Sequence, residues 1–186
     1  ARHADKLCVL SGMHTDIANH TPAMLFLHTG SFTFARPSLG SWLLYGLGTD
    51  NQNLPGFVSI CPPLINGGTS NYGTAFLPSV YQGTAIGDIK TPVRNARIGN
   101  ISNPRLDASA QRKQLDLLQS INRDLATRAP YDTRIDGVIQ SYELAFRMQA
   151  ELPHVMDLSS ETRSTQQMYG IGDGRRSDNF GRQCLM

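Results

Sequence analysis

Short apolar runs separated by polar, glycine-rich and proline-rich segments dominate the first half of the chain. Residues 6–10 and 57–61 are short apolar runs that suit buried strands of a parallel sheet. The apolar residues within 22–28 and 37–47 favour helices, and each of these segments is followed by glycine. This succession of strand-like and helix-like segments predicts an α/β fold.

Helical periodicity marks the second half of the chain. Apolar side chains three or four positions apart predict amphipathic helices over 108–128 and 133–150. Asp107 can cap the first of them, and Pro130 interrupts the chain before the second. The two helices are expected to form a helical hairpin whose apolar stripes pack on a common core or on each other. Four side chains of these stripes are predicted to be buried: Ile121, Leu125, Ile139 and Phe146.

Three further segments complete the pattern. Residues 74–87 read as a semi-apolar loop, of the length that either covers a site or packs on the surface. Residues 161–169 favour a short polar helix, and another helix is predicted from Phe180 onward. We therefore expect the second half to be mainly helical.

The helix over 22–28 has the most informative surroundings. Proline suits the first helical position because its ring fixes φ, and Gly30 can adopt the left-handed conformation after the last turn. A helix N-terminus collects unpaired N–H groups and a partial positive charge, which favour an anion. His20 and Asn19 lie at this N-terminus and are our candidate catalytic residues, whereas His28 at the other end is typical of a helix-dipole partner.

Two further polar residues precede this helix and are candidate metal ligands together with His20. Ligands in open α/β sheets bind outside the carboxyl ends of strands. A strand at 6–10 would place His14 and Asp16 at such an end. Imidazole and carboxylate groups bind divalent metals, although both residues also suit a solvated loop or a helix cap.

Composition excludes several classes of protein. The chain has 186 residues and a formal net charge of +2, with scattered basic residues apart from Arg175 and Arg176, a pattern that does not indicate nucleic-acid binding. No apolar run approaches the roughly 20 residues of a membrane helix. The three cysteines form no Cys-x-x-Cys pair and read as small apolar residues. The chain starts at Ala1 and ends within a predicted helix, so we expect 1–186 to be a single partial domain of a longer protein.

The segment that begins at His20 resembles the nucleophile motif of sulfatases. That motif reads Cys or Ser, any residue, Pro-Ser-Arg, four residues, then Thr-Gly. Here His20-Thr21-Pro22-Ala23-Met24 is followed at the same spacing by Thr29-Gly30. Several motifs in the same order resemble, more specifically, a sulfatase-like bacterial family, domain-of-unknown-function family 1501. They are Asn19-His20-Thr21-Pro22-Ala23, Arg36-Pro37-Ser38-Leu39-Gly40-Ser41-Trp42, Asn51-Gln52-Asn53-Leu54-Pro55-Gly56-Phe57-Val58, Phe76-Leu77-Pro78, Tyr81-Gln82-Gly83-Thr84 and Ser177-Asp178-Asn179-Phe180-Gly181-Arg182-Gln183-Cys184-Leu185.

The resemblance implies a fragment of an alkaline-phosphatase-like fold, with a mostly parallel sheet flanked by helices. It also implies a divalent metal, zinc or calcium, most of whose ligands lie outside this chain. The expected activity is hydrolysis of sulfate or phosphate esters of a small molecule or polysaccharide, without a nucleic-acid partner or a membrane span. The expected location is exported, in the periplasm or cell envelope.

The chain departs from the sulfatase motif at three positions. His20 replaces the Cys or Ser, and Ala23 and Met24 replace the Ser and Arg. Sulfatases make their formylglycine from that Cys or Ser, so this modification is impossible at His20. The alternative is therefore a noncatalytic binding protein that retains the sulfatase-like fold.

Overall fold

The computed structural model describes residues 4–99, 101–174 and 177–186, so the Arg175–Arg176 pair lies outside the described residues. These ranges are mainly helical and contain a two-stranded parallel sheet, which agrees with the general α/β class. The helices and strands are α1 (His20–Thr29), α2 (Leu39–Leu47), β1 (Val58–Ile60), β2 (Thr84–Ile86), α3 (Ala108–Arg128), α4 (Thr133–Met156), α5 (Arg163–Met168) and α6 (Ser177–Leu185). Among the described residues, no helix combines the length and apolarity that crossing a membrane requires.

The parallel sheet pairs β1 with β2 in register, with Val58 opposite Thr84 and Ile60 opposite Ile86. The strand at 57–61 was predicted, whereas β2 lies in the segment that the sequence pattern assigns to a loop. The strand β2 is only three residues long, and a glycine flanks it on each side. Its sequence therefore shows little of the alternation or apolar character by which a strand is predicted. The small parallel sheet agrees with the fold class, and an alkaline-phosphatase-like fold stays a prediction.

The predicted strand at 6–10 does not form. A 3₁₀ turn covers Ala4–Lys6, and the residues that follow have no regular structure. Leu7, Val9 and Leu10 are 72%, 81% and 68% exposed. A parallel strand needs a partner at its edge and a cover on its faces, and within the described residues this run has neither. The apolar character of the run is therefore insufficient to make it a strand.

The buried core lies at the carboxyl end of β2. Ile86, Val93 and Ala96 form its centre, and partly buried apolar side chains such as Ile60 and Met156 pack against them. The final helix is tied to this core, because the backbone N–H of Val93 donates to Oδ1 of Asn179 on α6 at 2.7 Å. The C-terminal segment is thereby an integral part of the fold.

The predicted helical hairpin is confirmed by α3 and α4. Its burial pattern differs from the prediction, since Ile121 and Leu125 are 58% and 51% exposed in this chain, and Ile139 and Phe146 are half-buried. The reason is that α3 turns Leu115 and Gln119 toward the interior. Ile121 instead lines an apolar groove of about 590 Å³ between the helices.

A polar network holds the two helices of the hairpin together. The guanidinium group of Arg112 on α3 donates two hydrogen bonds to the Glu143 carboxylate on α4, at 2.8 and 3.0 Å. The fully buried Gln119 donates from Nε2 both to that carboxylate and to the carbonyl oxygen of Ile139. The bonds from Arg112, and to a lesser extent the one from Gln119, lower the pKa of Glu143 from its ordinary 4.5 to about 2. Bidentate, charge-assisted bonds of this kind are among the stronger polar interactions in proteins.

We predict that Glu143→Gln weakens the hairpin by about 1–2 kcal/mol at pH 7, because charge-assisted hydrogen bonds become neutral ones. The folded-state pKa of Glu143 lies below its ordinary value. Its contribution is therefore fully present above about pH 4.5 and is lost as pH falls through about 2. Urea unfolding from pH 7 down to pH 2 should show the wild type converging on the variant. Glu151→Gln, at an exposed position of the same helix, should match the wild type throughout. A constant gap between wild type and Glu143→Gln over this range would contradict the prediction.

Candidate functional site

The N-terminus of α1 forms as predicted. Asn19 is in an extended conformation (φ −87°, ψ 134°), and its Oδ1 accepts a hydrogen bond from the backbone N–H of Thr21 at 3.1 Å. His20 is the first residue of the helix. At the other end Gly30 has φ +70° and donates its N–H to the carbonyl oxygen of Phe26 at 2.8 Å. Asn19 therefore has a structural role as the N-cap, and its catalytic role stays a prediction.

The first turn of α1 offers fewer amide donors than the sequence argument expects. The Thr21 N–H is used by the cap, Pro22 has no N–H, and the Ala23 N–H donates to the carbonyl oxygen of Asn19 at 3.0 Å. Of the first four helical residues, only His20 has a backbone N–H with no recorded acceptor among the described residues. An anion at this end would thus depend on the His20 side chain or on a metal rather than on a cradle of amides.

One neighbour of this N-terminus was missed by the sequence reasoning. The hydroxyl of Thr21 donates to Oδ1 of Asn66 at 3.2 Å, although the two residues are far apart in sequence. Asn66 and Gly67 have φ of +56° and +97°, the left-handed region that asparagine and glycine tolerate best. The Asn-Gly-Gly sequence at 66–68 is a signal for such a turn, but nothing local shows that it meets α1.

The four predicted site residues are all exposed: Asn19, His20, His14 and Asp16. Nδ1 of His14 lies 3.4 Å from the carbonyl oxygen of Gly12, within its own loop. No three His, Cys, Asp or Glu side chains converge as a metal-binding group in the part of the chain that the structure describes. The argument that put His14 and Asp16 at a strand end fails, because the strand at 6–10 is absent. Their role as ligands in a longer protein stays a prediction.

The carboxyl end of β1 instead borders a cavity of about 640 Å³, which we call the β1-end cavity. Met24 and His28, one helical turn apart on α1, line it on one side. Cys61, directly after β1, lines it with a left-handed φ of +49°, and its N–H donates to the carbonyl oxygen of Ile86 at 2.8 Å. Ligands of open α/β proteins commonly bind at such strand ends. Neither His28 nor Cys61 was a candidate from the sequence. The only sequence features that point to this cavity are the four-residue spacing of Met24 and His28 on one helix and the position of Cys61 at the end of a predicted strand.

The whole chain matches one protein family. The family described as "Protein of unknown function (DUF1501)" matches residues 1–186. The chain belongs to this family. No curated protein matches the sequence, and no solved structure matches it either.

In this DUF1501 chain, two segments that carry the resemblance are hydrogen-bonded to the same stretch of chain, at Tyr72 and Gly73. Ser38 caps α2, accepting the N–H of Ser41 at its Oγ, and the hydroxyl of Ser41 donates to the carbonyl oxygen of Gly73. Ser38 and Ser41 are almost completely buried. Gly83 donates its N–H to the carbonyl oxygen of Tyr72 at 3.0 Å. These bonds fix α2 against the loop that leads to β2, and so build one wall of the β1-end cavity.

Proposed function

We propose that this chain forms part of a metal-dependent hydrolase of sulfate or phosphate esters, in which His20 binds the metal. The observation that carries the proposal is the exposed His20 imidazole at the first residue of α1, where the related sulfatase motif has its nucleophile. Neutral imidazole is a common ligand for zinc, whereas calcium prefers oxygen ligands. Of the two metals that the resemblance implies, zinc therefore fits His20 better.

The remaining roles follow from the chemistry of the neighbouring residues. A bound divalent ion would supply Lewis acidity and lower the pKa of a bound water. His20 takes the place of the Cys or Ser nucleophile, so the proposal needs no covalent enzyme intermediate. Asn19 holds His20 at the start of α1, and His14 and Asp16 contribute further ligand atoms from the preceding loop. The other ligands come from segments outside this chain, and the protein acts on small-molecule or polysaccharide esters in the periplasm or cell envelope.

A noncatalytic binding protein is the second candidate. Ala23 and Met24 occupy the positions of the polar motif residues, and both are half-buried. The Asn19 cap and Pro22 also leave few amides for an anion at the start of α1. These features favour a protein that keeps the fold and binds a ligand without hydrolysing it.

The test is metal analysis of the full-length protein together with a panel of aryl sulfates and aryl phosphates. The hydrolase proposal predicts bound divalent metal near one equivalent or more and turnover that stops with a chelator and returns with zinc. Stoichiometric metal without turnover of any ester would favour the binding protein. The absence of both metal and turnover would reject the hydrolase.

A further inference from the structure

A smaller cavity lies beside the C-terminal end of α1, and we call it the Arg36 pocket. The loop after α1 forms one side of it with Arg36, and the segment 69–75 forms the other. Its volume is about 340 Å³, at the lower end of the range for small-molecule sites. Leu25, Phe32 and Phe34 give it an apolar part, which suits the hydrocarbon portion of a small ligand.

The Arg36 pocket carries one positive charge and no negative one. No Asp, Glu or His is among its lining residues. Arg36 is exposed and makes no hydrogen bond or ion pair within the described residues. Other arginines of the chain bind a carboxylate of their own: Arg112, Arg128, Arg134 and Arg182. The planar guanidinium group matches the two oxygens of a carboxylate, so Arg36 is free to bind one from a ligand.

A deeply buried hydroxyl opens into the same pocket. Thr74 lines the pocket and is only 8% exposed, and its hydroxyl makes no hydrogen bond in the part of the chain that the structure describes. Among the residues described, Oδ1 of Asn71 is the one fully buried side-chain polar atom recorded without a partner. The Thr74 hydroxyl therefore still reaches solvent, and it does so through the pocket that Thr74 lines. It is available to donate to a ligand there.

The side-chain amide of Gln82 adds another donor to the pocket. Its Oε1 accepts the backbone N–H of Thr74 at 3.2 Å, which fixes the orientation of the amide group. Nε2 makes no hydrogen bond within the ranges 4–99, 101–174 and 177–186, and Gln82 lines the pocket. A carboxylate accepts hydrogen bonds and donates none. The cation, the hydroxyl and the amide N–H of this pocket are therefore complementary to it.

We propose that the Arg36 pocket binds the carboxylate of a small organic acid. The guanidinium group of Arg36 binds the two carboxylate oxygens, and the Thr74 hydroxyl and the Gln82 amide N–H donate to their remaining lone pairs. A single guanidinium balances a single negative charge, so a monoanion fits this pocket better than a phosphate dianion. The hydrocarbon part of the acid packs against Phe32 and Phe34.

This pocket is separate from the proposed hydrolytic site. His20 begins α1, whereas Thr29, which lines the pocket, ends it. At 1.5 Å per residue the two ends of the helix are roughly 14 Å apart. The inference therefore stands whether or not the protein hydrolyses esters.

The test compares benzoate with benzamide, a neutral analogue of the same shape, on the full-length protein labelled with ¹³C at the leucine methyl groups. Leu25 lines the pocket, and Leu125, exposed on α3 and outside the pocket, is the internal control. Benzoate should shift the Leu25 signal to saturation and leave that of Leu125 unchanged. It should bind at least tenfold more tightly than benzamide, because hydrogen bonds between charged groups are stronger than neutral ones.

Four variants separate this pocket from the rest of the molecule. Arg36→Gln should weaken benzoate binding at least tenfold and remove the preference for benzoate over benzamide. Thr74→Val, which keeps the shape of the side chain without its hydroxyl, should weaken benzoate binding roughly threefold to tenfold. Arg123→Gln is the matched control, because Arg123 is also an exposed arginine without an ion pair among the described residues. Arg123→Gln and His20→Ala should both bind benzoate like the wild type.

Three results would overturn the proposal on their own. They are equal affinities for the two probes in the wild type, a Leu25 signal that does not move, and a preference for benzoate that persists in Arg36→Gln. A loss in Arg123→Gln as large as that in Arg36→Gln would also overturn it, since binding would then depend on net charge rather than on this pocket. Arg36 is exposed, so Arg36→Gln should fold, and its result decides the matter even if Thr74→Val does not fold.

Discussion

Replacing His20 with alanine is expected to remove metal from the full-length protein and to lower ester turnover on the order of 100-fold or more. Loss of an outer partner of a metal ligand already costs 10- to 100-fold, and loss of a ligand itself costs at least as much. His20 is exposed at the first residue of α1, so its removal leaves no cavity, and its side chain makes no hydrogen bond within the described residues. The stability of the fold should therefore change little. Metal content, turnover and thermal unfolding, measured on the same sample, distinguish a lost ligand from a lost fold.

His154→Ala is the matched control for this variant. His154 is also an exposed histidine, and it lies in the last turn of α4. It should keep the metal content and turnover of the wild type. If His20→Ala behaved like His154→Ala, His20 would have no place in the site, and the binding-protein alternative would gain support.

Gly181→Ala is expected to destabilise the protein by about 3 kcal/mol. A Cβ at this position of α6 would collide with the backbone carbonyl oxygen of Tyr169, and a backbone atom cannot rotate away as a side chain can. The displaced α6 would also move Asn179, whose side chain accepts the N–H of the buried Val93. Urea unfolding should show the loss of stability, and hydrogen exchange should show faster exchange at the Val93 amide.

Gly46→Ala is the control, and it should change the stability of the protein in the opposite direction. Gly46 lies within α2, and a Cβ there would meet no atom within 4 Å. Alanine should therefore stabilise the helix by roughly 0.5–1 kcal/mol through its higher helix propensity. Equal effects of Gly181→Ala and Gly46→Ala would show that α6 does not pack against the Tyr169 turn as the structure has it.

Helix boundaries could be predicted from this sequence because local chemistry decides them. The Asn19 cap and Gly30 define α1, and Asp107 accepts the Ala110 N–H at 2.8 Å to start α3. These interactions join residues a few positions apart, so the sequence displays both partners together. The ends of α1 and α3 therefore lie within about two residues of the prediction.

Strands could not be predicted equally well, because their partners are distant. The run at 6–10 is more apolar than β2, yet no strand lies beside it among the described residues, whereas β2 pairs with β1, with Ile60 opposite Ile86. The exposure of Ile121 has the same origin, since helical spacing identifies an apolar stripe but not the element that covers it. Whether a run becomes a strand, and whether an apolar stripe is covered, depends on tertiary contacts that the periodicity of the sequence does not reveal.

The candidate site shows the same limit. His20 and Asn19 became candidates because a motif and a helix start coincide in one short segment, and their role in a site stays a prediction. The β1-end cavity was missed because His28, Cys61 and Asn71 come from three separate segments, each of which is unremarkable alone. Asn71 in particular lies in a glycine-rich stretch without a recognisable motif, and only its buried Oδ1, which has no hydrogen bond within the described residues, distinguishes it.

The most direct measurement of the central claim is a crystal structure of the metal-loaded full-length protein with anomalous diffraction at the zinc absorption edge. The account predicts an anomalous peak at the N-terminus of α1, with a ring nitrogen of His20 about 2.1 Å from the metal. A protein that hydrolyses esters while its metal lies elsewhere, with the His20 ring in solvent, would contradict it.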